Sequence, residues 1–161
     1  MVNISYHGTS LVLIDALFRT NLLLEEDFFY QAISEHGSFA MANVDAYTIA
    51  KLLKKSTLRM TVDTYVRPWS RADTYDNREE PTTIYVNQWR LNRSIPNFCN
   101  IFMHQVIHAV NAENPQYEFG HGDNSIKGKE NTAPYWIGSL AERTITGAKK
   151  LNTQYVMRKA M

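Results

Sequence analysis

The chain has 161 residues, of which 44% are hydrophobic and 20% charged, a balance typical of ordinary globular proteins. This length suits one domain with its own core, so we predict a single domain over residues 1–161. Seventeen basic residues against 16 acidic ones give a net charge of +1, which excludes the broad basic field that drives nonspecific nucleic-acid binding.

The N-terminal third predicts helices. Clustered Leu, Ile and Phe between residues 9 and 34 indicate one or two helices, broken near Thr20 and Asn21, and residues 39–54 indicate another amphipathic helix. The apolar stretch at 11–18 is interrupted by Asp15, follows no basic region and precedes no small-residue cleavage site. We therefore expect no signal peptide, no membrane span and a cytoplasmic location, or delivery from the cytoplasm by another route.

The middle of the chain changes to a two-residue period. Apolar and polar side chains alternate over residues 58–67, and a second short strand is predicted at 82–87. Ser94 and Pro96 then open a helix, because a capping side chain and an early proline favour a helix start. A polar loop from 111 to 132 leads into a last helix that ends near Lys149. Together these elements predict an α+β fold with a small mixed sheet.

The helix after Ser94 has two unlike faces. In "CNIFMHQVIHAVNA", residues 99–112, a helical wheel places His108 about 40° and Gln105 about 100° from His104. The opposite side is continuously apolar and includes Cys99, the single cysteine, which we interpret as a buried inert thiol. The helix is thus predicted to bury one face and present His104, Gln105 and His108 on the other.

Two histidines four residues apart on one helix face suit a metal ion. Two uncompensated imidazoles on an otherwise buried helix would be costly, and a third histidine, His121, follows in a loop between Gly120 and Gly122. Catalytic zinc typically takes three protein ligands and keeps one open position. We therefore predict a zinc site formed by His104, His108 and His121. Asp123 and Glu142 remain alternatives for the third ligand.

These motifs resemble a known family. "HQVIH", residues 104–108, differs at one position from the HExxH motif of the zincin metallopeptidases, and a strand precedes the helix, as in the zincin core. "YEFGHGDN" resembles the histidine-glycine that supplies the third ligand in SprT-like zincins, and "NTAPYWIG" is similar to small bacterial and phage zincin-like proteins. The resemblance covers roughly residues 82–145. It implies a zincin-like domain, with a mixed sheet packed on an active-site helix, that hydrolyses protein or peptide substrates.

The resemblance also implies roles for residues around the metal. Zincins commonly bind substrate along an edge strand above the active-site helix, and residues 82–87 are the candidate here, with a strand that serves packing alone as the alternative. A tyrosine donating to the oxyanion is a further possibility. Tyr135 in "APYWIG" is our candidate for that catalytic role, with Tyr117 as the alternative.

Gln105 stands where the family has its catalytic glutamate. In zincins that glutamate takes a proton from the attacking water and passes it to the leaving amine. A glutamine has almost the same shape, but its amide is not a useful base. Gln105 therefore predicts an intact metal site with little turnover. One base separates the two codons, so we interpret the chain as an inactive Glu-to-Gln variant, engineered for that purpose, with a natural pseudoenzyme as the alternative.

Two other function classes stay open. A noncatalytic zinc-binding pseudoprotease or interaction module would carry the same ligands. "YHGT", residues 6–9, resembles the start of ADP-ribosyltransferases, in which the histidine and the following backbone hold the nicotinamide end of NAD. That fold also needs a later tyrosine strand and usually a catalytic glutamate, and neither can be placed in this sequence.

Overall fold

The computed structural model describes residues 1–69, 74–75, 80–122 and 127–159. Within these ranges the chain forms five helices and one four-stranded sheet. The helices are α1 (Leu11–Glu25), α2 (Asp27–Ser34), α3 (Ala46–Lys55), α4 (Ile95–Glu113) and α5 (Ala133–Lys159). The strands are β1 (Asn3–Tyr6), β2 (Arg59–Tyr65), β3 (Thr74–Tyr75) and β4 (Thr83–Asn87), and a single 3₁₀ turn covers Gln88–Arg90.

The sheet is mixed, as predicted. Its strand order is β1-β2-β4-β3, with β1, β2 and β4 parallel and the two-residue β3 antiparallel to β4. Alternate residues on the three parallel strands are buried, as expected from the two-residue period of a strand. These are Ile4, Met60, Val62, Ile84 and Val86. The predicted strands at 58–67 and 82–87 are confirmed.

One expectation about the sheet is wrong. We expected residues 82–87 to offer a free edge to a peptide, but β4 lies between two strands. It pairs with β2 on one side, and on the other its Tyr85 and Val86 pair with β3. The ladder groups that a peptide would use at those two positions are therefore already paired.

The first helical region breaks later than predicted. The break falls at Glu26, whose φ of −91° and ψ of 119° are extended. Thr20 lies within α1 and is buried, and its hydroxyl donates to the Ala16 carbonyl of the preceding turn at 2.8 Å. Asn21 uses its amide to accept from the Ile4 N–H at 3.0 Å and to donate to the Ile4 carbonyl at 2.8 Å. These polar residues thus do not end the helix, and Asn21 serves the open edge of β1.

The helix predicted over 39–54 begins only at Ala46. Asp45 caps it, its carboxylate accepting from the Thr48 N–H at 2.8 Å. Upstream of that cap, Met41 has a φ of +62°, in the left-handed region that disfavours a side chain with a Cβ. Residues 39–45 therefore form an irregular segment that leads into α3.

The core lies between the sheet and the helices, with α4 at its centre. The predicted apolar face of α4 is buried throughout, including Phe98, Phe102 and Val106. Cys99 is buried there as well, and burial is the main cause that raises the pKa of its thiol to about 11. Cys99 is therefore a protonated core residue, as predicted. Among the described residues, no helix has both the length and the apolar character to cross a membrane.

Candidate metal centre

Helix α4 brings two of the three histidines together. Ser94 caps the helix as predicted, its hydroxyl accepting from the Asn97 N–H at 3.4 Å, and Pro96 lies in the first turn. Because the opposite face is anchored in the core, the helix has little freedom to rotate. His104 and His108 therefore project side by side, one turn apart and half-buried, against α5 and the loop after α4.

The loop after α4 supplies the third histidine. His121 is 4% exposed, so its imidazole is buried although the residue belongs to a loop. The next residue, Gly122, has a φ of +74°, in the left-handed region that glycine tolerates without strain. This glycine lets the backbone bend beside the third histidine.

The three imidazoles meet through the same atom. The Nε2–Nε2 distances are 3.0 Å for His104 and His121, 3.1 Å for His104 and His108, and 2.9 Å for His108 and His121. Tetrahedral coordination with metal–nitrogen bonds of about 2.0–2.1 Å separates the ligand nitrogens by about 3.3 Å. The nitrogen triangle is within a few tenths of an ångström of that spacing. The cluster is therefore close enough to hold one metal ion.

Hydrogen bonds among the three nitrogens do not explain the triangle. In a neutral imidazole Nε2 is either an N–H donor or a lone-pair acceptor. With three nitrogens in mutual contact, at least two must be of the same kind, so at least one contact is repulsive. A cation removes this conflict because it accepts a lone pair from every nitrogen. The geometry thus favours a shared metal over a self-contained hydrogen-bonded cluster.

The electrostatics of the cluster also suit metal binding. Burial, followed by the charges of His108 and His121, lowers the pKa of His104 to about 3. His104 is therefore neutral at physiological pH, and a neutral imidazole is the form that coordinates zinc.

Tyr135 lies directly beside the histidine cluster. Its ring centroid is 4.6 Å from that of His104, in an edge-on arrangement, and 4.7 Å from that of His121. The residue sits in the first turn of α5, so α5 packs over α4 at the site. Tyr117, the alternative, is partly buried and packs against the core, and its carbonyl accepts a hydrogen bond from α4. Of the two tyrosines, Tyr135 is the one whose ring contacts the cluster.

The structure separates the alternatives for the third ligand. Glu142 is half-buried on α5. Its carboxylate accepts at 2.7 Å from the side chain of Asn100, which lies one turn before His104 on α4. It does not belong to the cluster of residues close enough to share an ion with His104 and His108. Asp123 lies outside the described residues. His121 is therefore the third member that the described part of the chain supports.

Gln105 is half-buried next to His104. Its amide makes no hydrogen bond to any residue that the structure describes. No hydrogen bond within the described part of the chain thus accounts for a glutamine at this position.

The "YHGT" stretch lies apart from the cluster, at the end of β1. The His7 side chain is exposed and helps to line an open groove of about 560 Å³ across the sheet, together with Tyr6, Gly8 and residues of β2 and β4. A Cβ at Gly8 would come within 2.1 Å of the Tyr6 hydroxyl, so a larger residue there would require the Tyr6 ring to move.

Sequence reasoning missed the asparagines that extend the polar strip of α4. Asn100 lies one turn before His104, and Asn111 lies three residues after His108, on the same side of the helix. Asn111 accepts from the Phe119 N–H at 3.0 Å and donates to the Tyr117 carbonyl at 2.8 Å. The helical periodicity of the sequence already places both asparagines on the histidine face, but it does not identify their hydrogen-bond partners.

Comparison of the chain with protein-family models, with curated proteins and with solved structures gave no match.

Proposed function

We propose that the chain is a zincin-like domain that binds one zinc ion through His104, His108 and His121, and that its general base is replaced by Gln105. The observation that carries the proposal is the triangle of three Nε2 atoms 2.9–3.1 Å apart. Three imidazoles and one open position form the donor set of a catalytic zinc site, and the described residues add no fourth ligand to the cluster. The proposed substrates are proteins or peptides, as the HExxH-like motif implies.

In this proposal each residue near the ion has a distinct task. Zinc, when bound, supplies Lewis-acid chemistry for hydrolysis. The three histidines hold it, and α4 and the loop fix their directions. The Tyr135 ring packs against the imidazoles of His104 and His121, and its hydroxyl is our candidate for an oxyanion donor. Gln105 keeps the shape of a glutamate but does not accept a proton, so we expect binding of substrate with little turnover.

A noncatalytic zinc-binding module is the second candidate. Gln105 favours this candidate directly. Hydrolysis at the open coordination position needs a nearby proton acceptor, and Gln105 does not supply one. The packing of Tyr135 against two imidazoles is also consistent with a zinc ion that serves stability or partner binding. The two candidates share the metal site and differ only in what restoring a base at position 105 would do.

The metal site itself is tested by stoichiometry. We expect the purified chain, equilibrated with zinc and desalted, to retain one zinc ion per chain by elemental analysis, and to lose it with His104→Ala, His108→Ala or His121→Ala. Glu142→Gln is the matched control, since it changes the excluded ligand candidate and should leave the zinc content unchanged. An unsubstituted chain that retains no zinc, or a Glu142→Gln chain that loses it, would overturn this assignment.

Tyr135 gives a separate prediction. Tyr135→Phe keeps the ring that packs on His104 and His121, so the dissociation constant for zinc should change by less than about threefold. Tyr135→Ala removes that ring and should weaken zinc binding by about tenfold, as outer-shell substitutions commonly do. Competition with a chromophoric chelator measures both constants. Equal affinities for the two variants would show that the ring contacts do not support the site.

A further inference from the structure

The third histidine depends on how the loop after α4 is held. His121 lies 13 residues beyond His108, so the loop must be fixed before its imidazole can meet the other two. Asn111, on the helix side, accepts from the Phe119 N–H and donates to the Tyr117 carbonyl, at 3.0 and 2.8 Å. One asparagine on the ligand face of α4 thereby fixes the chain two residues before His121.

A second asparagine holds the same stretch from the other side. The Asn43 backbone N–H donates to the Glu118 carbonyl at 2.9 Å, and the Asn43 side-chain oxygen accepts from the Glu118 N–H, also at 2.9 Å. Both backbone polar groups of Glu118 are thus bonded to one residue. Residues 117–119 are held between Asn111 and Asn43, although 43 is remote from the metal site in sequence.

The segment that carries Asn43 is itself tied to both ends of the loop. The Ala40 N–H donates to the Asn131 carbonyl at 2.9 Å, and His36 Nε2 lies 2.7 Å from the Asn131 side-chain oxygen. Met41 holds a φ of +62°, and a non-glycine residue keeps that conformation only where its surroundings impose it. Its terminal methyl lies 3.8 Å from where a Cβ on Gly122 would be, beside His121.

We propose that Asn43 and Asn111 are positioning residues of the metal site, and that residues 36–43 form a brace that sets the place of His121. The inference rests on the proposed metal binding. It assigns part of the affinity for the metal to Asn43, which contacts neither the ion nor a ligand. Loss of the hydrogen bonds from either asparagine frees the loop, so metal binding must then also order the loop. Loss of outer-shell interactions weakens metal binding by about 10–100-fold.

Substitution by aspartate should preserve zinc binding at Asn43 and weaken it at Asn111. Among the described residues, Asn43 uses its side chain only as an acceptor, so Asn43→Asp keeps the bond to the Glu118 N–H, whereas Asn43→Ala removes it. Asn111 uses both ends of its amide, so Asn111→Asp places a carboxylate oxygen against the Tyr117 carbonyl. We expect Asn43→Ala and Asn111→Asp to weaken zinc binding by about 10–100-fold, and Asn43→Asp by less than about threefold.

The experiment measures zinc dissociation constants by chelator competition and the visible spectrum of the Co²⁺-substituted chain, with circular dichroism as the check of folding. Asn100→Ala is the matched control, because it removes a bond on the same helix face, to Glu142, without touching the loop. It should leave both the zinc affinity and the Co²⁺ spectrum unchanged. Asn43 is exposed, so its variants test the brace even if Asn111 variants do not fold.

Each outcome bears on a different statement. Weaker zinc binding and an altered Co²⁺ spectrum with Asn43→Ala, rescued by Asn43→Asp, support the brace. Zinc binding by folded Asn43→Ala that is as tight as in the unsubstituted chain overturns the brace while the metal site stands. An unsubstituted chain that binds neither Zn²⁺ nor Co²⁺ overturns the metal site, and the brace with it.

Discussion

Replacing Gln105 with glutamate is expected to raise zinc-dependent peptide hydrolysis by about 10²–10⁴-fold, the usual contribution of a positioned general acid-base group. The substitution adds a carboxylate beside His104 without changing the size of the side chain. It supplies the one function that the site lacks under the proposed mechanism, a group that accepts a proton. A quenched fluorescent peptide library, with mass spectrometry of the products, measures the gain.

Two controls separate hydrolysis by this site from contamination. Gln105→Ala removes the amide without adding a base and should stay as inactive as the starting chain. Gln105→Glu combined with His108→Ala keeps the base but removes a ligand, and should lose the gain. A zinc-loaded Gln105→Glu chain that cleaves no peptide in the library would contradict the peptidase proposal and favour the noncatalytic zinc-binding module.

The central helix could be predicted from sequence almost completely. Ser94 and Pro96 fix its start because capping and the early proline are local effects. Its buried face follows from the helical period, which also places His104 and His108 together. The approach of His121 was predicted only from a glycine-flanked histidine in a polar loop. The structure brings its Nε2 to within 3.0 Å of both partners.

What could not be predicted depends on contacts between distant parts of the chain. Strand β1 has four residues, too few to show the alternation of apolar and polar side chains that predicts a strand. It forms because β2 pairs with it and Asn21 bonds to Ile4. The segment before α3, which contains the left-handed Met41, bonds through Ala40 and Asn43 to the loop that carries His121. Local propensity gives no information about partners that lie 75 or 95 residues away, as for Asn43 with Glu118 and His36 with Asn131.

The same division applies to the candidate site. The ligand types were readable because imidazole chemistry and four-residue spacing are properties of the sequence itself. The support around them was not, since asparagine bonds to whatever backbone the fold brings near. Asn111 has the same local signature as Asn100, yet one holds the loop and the other holds α5 through Glu142. Only the tertiary arrangement distinguishes them.

Zinc is expected to stabilise the chain strongly. At a free zinc concentration of about 100 to 1,000 times the dissociation constant, binding to the native state alone adds about 3–4 kcal/mol to the free energy of unfolding. For a chain of this size each kcal/mol raises Tm by about 2–4 °C, so the total shift should be about 10 °C. Thermal unfolding followed by circular dichroism, with and without a chelator, measures it.

A single substitution should separate this linkage from ordinary packing. His104→Ala removes a ligand, so the zinc-induced rise in Tm should disappear. Without zinc, His104→Ala should lower Tm by less than it does with zinc. In the metal-free chain the substitution removes one of three nitrogens that cannot all hydrogen-bond to one another, which relieves a repulsive contact. His7→Ala is the matched control, since His7 is exposed on the sheet groove and should leave both melting temperatures unchanged. If the zinc-induced rise survives His104→Ala, the ion that stabilises the chain is bound elsewhere.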